Sequence, residues 1–136
     1  MEFNVRKLDI DDYDNHLVKW WKAWGWEPIP RDFLPEDATS GLMVSKGEQN
    51  ICAGFLYLTN SKVALTEFVV SNKEYKDADR AEAIKLLLDC IIQLADENGY
   101  KYAHVILKNK SLVNKYLDAG YIKSDSEVLE MIKVWQ

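Results

Sequence analysis

The spacing of hydrophobic residues predicts a buried strand followed by a long helix. Residues 63–70 are rich in β-branched and aromatic types and contain Glu67 as their only charge, which is typical of a central strand buried on both faces. After a polar loop, the apolar positions change to helical spacing. These positions are Ala81, Ile84, Leu87, Leu88, Ile91, Leu94 and Ala95. We therefore expect the strand to lead into the N-terminus of an amphipathic helix.

The predicted helix has start and stop signals at its two ends. Asp79, with Glu82 three residues later, has the form of an N-terminal capping box, and Asn98-Gly99 is a C-terminal stop signal. The N–H groups of a first helical turn have no partner within their own helix. We expect them to face the preceding loop, where they can bind an anion.

The rest of the pattern predicts strands and helices that share one sheet. The expected elements are a strand at 3–8, a helix at 13–24, a proline-containing irregular excursion at 26–40, strands at 42–46 and 51–58, a strand at 102–107, a helix at 109–119 and a final strand at 128–135. The helical crossover predicts that the strand after it is parallel to a neighbour. The predicted class is α+β: one domain over residues 1–136, with a single mixed, mostly antiparallel sheet flanked by helices.

Composition and charge argue against several kinds of partner. The net charge is −5 and no cluster of Lys or Arg stands out, which argues against binding to nucleic acid or to an anionic membrane. Cys52 and Cys90 lie in apolar runs, so we expect two reduced core thiols, with one disulfide as the alternative. The N-terminus lacks a signal pattern, and no run reaches about 18 apolar residues. These features favour a cytoplasmic protein.

Several chemistries have no support in the sequence. His16 and His104 are far apart, and neither has a Cys or His nearby at the spacing of metal ligands, so we predict no metal site. A nucleophile elbow, a Walker loop and a dinucleotide fingerprint are also absent.

The segment 109–121 has a distinctive spacing: Asn109, Tyr116 seven residues later, then Gly120 followed by Tyr121. This segment resembles the GNAT superfamily of acetyl-CoA-dependent N-acetyltransferases, and the order of elements resembles that family over almost the whole chain. The resemblance implies acetyl-CoA as cofactor, Tyr116 as the acid that protonates the departing CoA thiolate, and Asn109 as a contact of the pantetheine arm. The structural alternative is a helix cap at Asn109, a core aromatic at Tyr116 and a C-cap at Gly120.

The loop before the long helix matches the same family less well. The family uses the form Arg/Gln-x-x-Gly-x-Gly/Ala to hold the CoA pyrophosphate, and the corresponding residues here are 76–81. The resemblance implies pyrophosphate contacts from Lys76, Arg80 and Ala81. Asp79 replaces the key glycine, and a carboxylate there would repel the pyrophosphate, so we interpret it as the helix cap. This departure puts tight CoA binding in question.

Glu67 is the candidate general base, because a carboxylate in apolar surroundings has a raised pKa. The alternative places Glu67 at the exposed end of its strand or in an ion pair with a lysine. The resemblance also implies cofactor contacts from Phe68, Val69 and Val70. A backbone N–H near Val69 or Val70, left free where the strand diverges from its parallel neighbour, would donate to the acetyl carbonyl.

A tryptophan-rich helix supplies the candidate acceptor site. Trp20, Trp21 and Trp24 are substrate-binding candidates, because the first helix of this fold flanks the acceptor and an aromatic wall can hold an amine. The alternative is that these rings only fill the core.

Two hypotheses follow. The first is an N-acetyltransferase that transfers the acetyl group of acetyl-CoA to an amine of a small molecule, peptide or protein. The second is a catalytically inactive GNAT-fold protein with a binding or structural role, of the kind found among bacteriophage gene products. The segment 109–121 favours the first and Asp79 favours the second. The acceptor and the oligomeric state stay open, with a homodimer among the options.

Overall fold

A computed structural model describes residues 2–135 as a five-stranded mixed sheet flanked by helices, which confirms the predicted α+β class. The strands are β1 (Phe3–Lys7), β2 (Gly41–Lys46), β3 (Gln49–Leu58), β4 (Val63–Ser71) and β5 (Tyr102–His104). They lie side by side in chain order. The first three pairings are antiparallel, and β4 pairs with β5 in parallel as the helical crossover predicts.

Three α-helices pack on this sheet, and short helical turns precede two of them. They are α1 (Val18–Ala23), preceded by a π-helical turn at Tyr13–Leu17, α2 (Arg80–Glu97), and α3 (Val113–Asp118), preceded by a 3-10 turn at Lys110–Leu112. A further 3-10 turn, Arg31–Phe33, lies in the excursion between α1 and β2. The left-handed residues Gly25, Gly99 and Gly120 follow the three helices, as their stop signals predict.

The sheet is covered on both faces, so it separates two hydrophobic cores. On one face, α2 packs its apolar stripe, including Leu87, Leu88 and Ile91, against alternate residues of the central strands. On the other face, the first helix and the excursion cover Met43 and Phe55. The central strands are therefore hydrophobic at nearly every position, as a strand buried on both faces requires.

An extra residue interrupts β4 next to Glu67. Ala53 of β3 pairs with Val70, and Phe55 pairs with Glu67, so two steps along β3 correspond to three along β4. Phe68 adopts a left-handed backbone with φ of 61°. A β-bulge of this kind breaks the alternation of side chains. Phe68 consequently packs against the core that contains Phe55, instead of facing α2.

The pairing between β4 and β5 is short. It covers only Val63, Ala64 and Leu65 opposite Tyr102, Ala103 and His104. From Thr66 onward, the outer edge of β4 has no strand partner within residues 2–135. The divergence expected near Val69 and Val70 is therefore present, and the strand predicted at 102–107 is shorter than expected.

The predicted final strand at 128–135 is wrong. The segment 122–135 has no regular secondary structure, and its apolar side chains are exposed, to 89% for Leu129 and 88% for Met131. Its clearest contact with the rest of the chain is an ion pair between Glu130 and Lys108, at 2.6 Å. An alternating pattern predicts a strand only where an edge is available for pairing, and β5 offers just three residues before the chain becomes irregular.

Candidate functional site

A cavity of about 200 Å³ lies where β4 diverges from β5. The open edge of β4 forms one wall, the start of α2 a second, and the 109–115 segment a third. The lining residues are Trp24, Trp26, Val69, Val70, Ser71, Arg80, Ile84, Asn109, Ser111, Leu112 and Lys115. A free strand edge offers backbone N–H and C=O groups to an extended ligand that carries amides.

Trp24 occupies one end of this edge. Its indole Nε1 donates to the carbonyl oxygen of Ser71 at 2.8 Å, and its ring stacks on Trp26 with centroids 5.9 Å apart. The guanidinium of Arg80 lies 5.9 Å from the centre of the Trp24 ring. The indole therefore uses a β4 carbonyl that a strand-like ligand would otherwise contact.

The first turn of α2 presents free donors. The N–H groups of Ala81 and Glu82 bond to nothing within residues 2–135. Arg80, the first residue of the helix, donates from Nη2 to the carbonyl oxygens of Asn72 and Lys73, both at 3.1 Å, and to that of Tyr75. Its Nε is the one fully buried side-chain polar atom among the described residues that lacks a hydrogen-bond partner. Arg80 thus holds the loop before α2 in place and keeps one donor unused.

Asp79 does not cap α2, so the predicted capping box is wrong. The carboxylate instead accepts from Nζ of Lys46 at 2.7 Å and from the hydroxyl of the buried Tyr75 at 2.7 Å. The ammonium of Lys46, and then the Tyr75 hydroxyl, hold the pKa of this carboxyl below its ordinary value. The negative charge at position 79 is therefore compensated by a cation from β2, which weakens its repulsion of an anion at the helix start.

Basic residues surround a shallow recess beside this loop. It has a volume of about 410 Å³ and adjoins the cavity through Trp24 and Arg80. Lys73 and Lys76 lie on the recess, and Asp77 is the acidic residue among those that line it. Cations and unpaired helix donors at one place favour a ligand with negative charge.

Glu67 spans the gap between the diverging strands. Its Oε1 accepts from the backbone N–H of Ile106 at 3.1 Å, while its other oxygen has no partner within residues 2–135. Burial raises the pKa of this carboxyl, the Ile106 N–H opposes the rise, and nearby Glu130 adds to it. Glu67 is half-buried and forms no ion pair with a described residue, so neither structural alternative for it is correct.

Tyr116 lies in the hydrophobic core on the α2 side of the sheet, and it is not among the residues that line the cavity. Its side chain is 2% exposed, and its ring meets that of Tyr121 edge-on with centroids 5.0 Å apart. The Tyr121 hydroxyl is 2.8 Å from Oγ1 of Thr66 on β4. The Tyr116 hydroxyl bonds to no described residue, yet it is not one of the fully enclosed polar atoms. Burial, followed by Tyr121 and Glu67, raises the pKa of Tyr116, so this phenol is protonated at neutral pH.

Comparison with solved structures identifies the fold. The chain is similar to the ribosomal-protein-S18-alanine N-acetyltransferase from Escherichia coli, with 11% identity and a TM-score of 0.70 over 91% of this chain and 80% of that one. It is similar to a protein of unknown function from meticillin-resistant Staphylococcus aureus described as a probable acetyltransferase, with 13% identity and a TM-score of 0.70 over 98% and 100% of the two chains. The chain has the GNAT fold.

A third similar structure contains coenzyme A. N-acetylglutamate synthase from Neisseria gonorrhoeae, solved with coenzyme A and N-acetyl-glutamate, matches with 13% identity and a TM-score of 0.71 over 92% of this chain and 29% of that one. No protein-family model and no curated protein matches the sequence. The likeness is therefore one of GNAT fold, at identities too low to carry a substrate across.

The GNAT fold brings most of the predicted cofactor residues to one cavity. Val69, Val70, Arg80 and Asn109 line it. Lys76 lies on the adjoining recess, and Ala81 lies on the first turn of α2. Phe68 is the exception, because the bulge turns its ring to the opposite face of the sheet.

Asn109 has a local structural role as well as a place on the cavity. Its Oδ1 accepts from the backbone N–H of Ser111 at 3.0 Å and from the Ser111 hydroxyl at 2.7 Å. Asn109 is thus the N-cap of the turn that precedes α3. The cap proposed as the structural alternative is present.

The predicted acceptor tryptophans divide between the core and the cavity. Trp20 and Trp21 are only 6% and 3% exposed, so their rings fill the core beneath the sheet instead of lining an acceptor site. Trp24 lies at the cavity, together with Trp26, which belongs to the same tryptophan-rich stretch but was not among the three substrate-binding candidates. Ser111 and Lys115 were also missed, although their spacing of four residues places both on one helical side of the 109–121 segment.

Other kinds of site lack support in the described part of the chain. Residues 2–135 hold no group of three or more His, Cys, Asp or Glu side chains placed to bind a metal. Cys52 and Cys90 are both free thiols, and Cys90 is only half-buried. Within the same residues, no helix has the length and apolar character needed to cross a membrane.

Breaking the ion pair beside α2 is expected to loosen the loop. Asp79→Asn and Lys46→Met should each lower the Tm by a few degrees, and the double variant should lose less than the sum because both changes break one interaction. Asp79 has a lowered folded pKa, so its contribution is present above pH 3.8 and is lost as pH falls through the folded value. Thermal unfolding at pH 7 and at pH 3 measures both effects.

The exposed pair Lys85 and Asp89 on α2, with atoms 3.2 Å apart, is the matched control, since an exposed pair of this kind contributes little. Additive losses at Lys46 and Asp79 would contradict the coupling assigned to them.

Proposed function

We propose that this protein is an N-acetyltransferase that uses acetyl-CoA and acetylates an amine. The observation that carries the proposal is the cavity itself, which in a GNAT fold joins a free β4 edge to Arg80 at the start of α2. The first turn that follows Arg80 has unpaired N–H groups. The acceptor is the amine of a small molecule, peptide or protein. The two free thiols support a reducing compartment such as the cytoplasm.

The described residues fit the anionic end of CoA. The N–H groups of Ala81 and Glu82 are donors without partners, and the side chains of Arg80, Lys73 and Lys76 add positive charge beside them. These groups would hold the pyrophosphate. The free edge at Val69 and Val70, with Asn109 opposite, would hold the amide-containing pantetheine arm. Bound acetyl-CoA supplies the acetyl group as a reactive thioester.

Glu67 would act as the base. Its free carboxylate oxygen, at the mouth of the gap, would take the proton from the amine, directly or through water, as the nitrogen attacks the acetyl carbon. A raised pKa makes a carboxylate a better acceptor of that proton. A free N–H near Val69 or Val70 would donate to the carbonyl oxygen as negative charge develops there.

Tyr116 would supply the second proton. As the N–C bond forms and the C–S bond breaks, the phenol would donate its proton to the departing sulfur. The raised pKa of Tyr116 means that the phenol carries its proton at neutral pH. The protons balance, since one leaves the amine to Glu67 and one leaves Tyr116 to the thiolate.

A second candidate function is favoured by Trp24. The indole donates to the Ser71 carbonyl at the β4 edge, and Asp79 stands where the related loops carry a glycine. In a protein that no longer binds CoA, the Trp24 indole and the Asp79 carboxylate could keep the site closed. It would then be a GNAT-fold binding module without catalysis.

Acetyl-CoA is expected to bind with a Kd in the micromolar range or tighter, about −8 kcal/mol, measured by isothermal titration. Lys76→Gln should weaken binding about threefold to tenfold at low salt, because one phosphate-facing cation is lost. Lys85→Gln, on the exposed side of the same helix, is the matched control and should leave the Kd unchanged.

Asp79→Gly separates the two candidate functions. Because Lys46 already compensates this carboxylate, we expect no gain in affinity from the glycine. A native protein that does not bind acetyl-CoA, together with an Asp79→Gly variant that does, would favour the binding module over the enzyme.

Tyr116→Phe is expected to lower kcat about 100-fold while the Kd for CoA changes less than twofold, because only the proton donor is removed. Steady-state kinetics with the best acceptor from an amine panel measures kcat, and titration measures the Kd. Tyr121→Phe removes the same atom from the neighbouring ring and should change kcat less than threefold. Equal kcat values for Tyr116→Phe and the native protein would remove the acid role.

Glu67→Gln is expected to lower kcat and to abolish one limb of the pH profile. The folded pKa of Glu67 lies above its ordinary 4.5, so the native rate should fall as pH drops through that raised value. Glu130→Gln removes a negative neighbour and should move the inflection to lower pH without loss of the plateau rate. A native profile that matches that of Glu67→Gln would exclude this carboxylate as the base.

A further inference from the structure

Three aromatic rings form a continuous surface on the α1 side of the sheet, next to Glu67. We call Phe33, Tyr57 and Phe68 the aromatic surface. The rings of Phe33 and Phe68 meet edge-on with centroids 5.8 Å apart, and those of Tyr57 and Phe68 are 6.4 Å apart. None of the three is among the residues that line the cavity beside β4, so this surface is distinct from the proposed cofactor site.

The β4 bulge brings this surface and the carboxylate together. Glu67 pairs with Phe55 and Tyr57 pairs with Leu65, so Glu67 and Tyr57 are diagonal neighbours on one face, roughly 7 Å apart as such neighbours are in antiparallel pairs. The extra residue adds Phe68 to that same face. Charge coupling supports the proximity, because Glu67 contributes to the raised pKa of Tyr57, after burial.

The loop that carries Phe33 is held firmly against the sheet. The Tyr57 hydroxyl donates to the Phe33 carbonyl oxygen at 2.8 Å. Arg31 donates to the carbonyl oxygens of Ile10 and Asp37, and Thr39 Oγ1 donates to that of Glu36 at 2.7 Å. Glu36, Asp37 and Ala38 are consecutive left-handed residues, a conformation uncommon outside glycine and one that persists only where the surroundings impose it.

The held loop leaves Phe33 44% exposed, while Tyr57 and Phe68 are half-buried. Trp20 and Trp21, by contrast, are buried, so their rings can contribute only to the core. A side chain fixed by its backbone and left open is a preformed contact for a ligand.

The chemistry of the surface selects one class of amine. Aromatic rings bind flat apolar groups edge-on or stacked, and their faces attract ammonium groups. The free oxygen of Glu67 supplies one negative charge to pair with one ammonium. Two other charged side chains, Glu130 and Lys108, influence the pKa of Glu67, and they form an ion pair with each other at 2.6 Å. A polycationic acceptor would therefore meet too few free carboxylates here.

We propose that the acceptor is a small primary amine joined to an aromatic ring by a short alkyl spacer, with its ring on the aromatic surface and its nitrogen at Glu67. A spacer of two or three carbons suits the diagonal separation between Glu67 and Tyr57. This inference rests on the proposed acetyltransferase function, which it deepens by naming the acceptor class.

Direct binding tests the inference without any acetyl transfer. The probes are 2-phenylethylamine, n-propylamine and 2-phenylethanol, titrated into the full chain by NMR, first alone and then at saturating CoA. We expect 2-phenylethylamine to bind at least tenfold more tightly than n-propylamine, which lacks the ring, and than 2-phenylethanol, which lacks the charge. Shifted resonances should include those of Glu67, Phe68 and Tyr57.

Phe33→Ala should raise the Kd for 2-phenylethylamine at least fivefold and change the Kd for n-propylamine less than twofold. Tyr102→Ala, which removes a ring that is 56% exposed on β5, is the matched control and should change neither probe. Equal affinity for the three probes, no binding up to about 20 mM, or no effect of Phe33→Ala would overturn the proposal. The failure of the two proposals can be told apart, because the probes are also titrated without CoA. If the probes bind as expected but CoA does not, the result counts against the acetyltransferase function and not against the aromatic surface.

Discussion

The divergence of β4 from β5 is the constraint on which the candidate site depends. Parallel pairing satisfies the backbone of both strands over three residues and then stops, which leaves polar groups of a central strand open in the middle of the sheet. Glu67 partly compensates, because its carboxylate accepts the Ile106 N–H across the gap. The remaining free edge is the wall of the cavity. A fully paired sheet would have been more regular and would have had no cavity there.

In the proposed cofactor site, the ion pair at the start of α2 would replace the small size that a glycine-rich loop uses. Glycines let backbone approach a phosphate closely, and they bring no charge. Here Asp79 replaces glycine, and Lys46 on β2, with the Tyr75 hydroxyl, binds its carboxylate on the side of the sheet. Arg80 then fixes the loop through three carbonyl oxygens. The N–H groups of the first turn stay free because no side chain caps them.

The sequence predicted what depends on local pattern and missed what depends on distant partners. Strand β4, helix α2 and their junction follow from apolar spacing, and all were correct. The prediction that Asp79 caps α2 was wrong because its carboxylate forms an ion pair with Lys46 instead. Local sequence could not reveal this partner, since Lys46 lies 33 residues away. The pattern of hydrophobic residues does not reveal the bulge at Phe68, because the bulge is a shift in the pairing of two strands. The strand at 128–135 failed because periodicity does not say whether an edge exists to pair with.

The two ends of the β4 edge favour different functions. Near Glu67 the edge is open, with a free carboxylate oxygen and a protonated phenol behind it, which suits acyl transfer. Near Ser71 the edge is closed by Trp24, whose indole takes the carbonyl that an amide-containing ligand would use. The indole is half-buried, and turning it away would cost its hydrogen bond, its stacking on Trp26 and its contacts with Lys73 and Arg80. An extended ligand that gains several hydrogen bonds and a phosphate contact would outweigh that cost. Trp24 is thus better understood as a displaceable cover than as a permanent block.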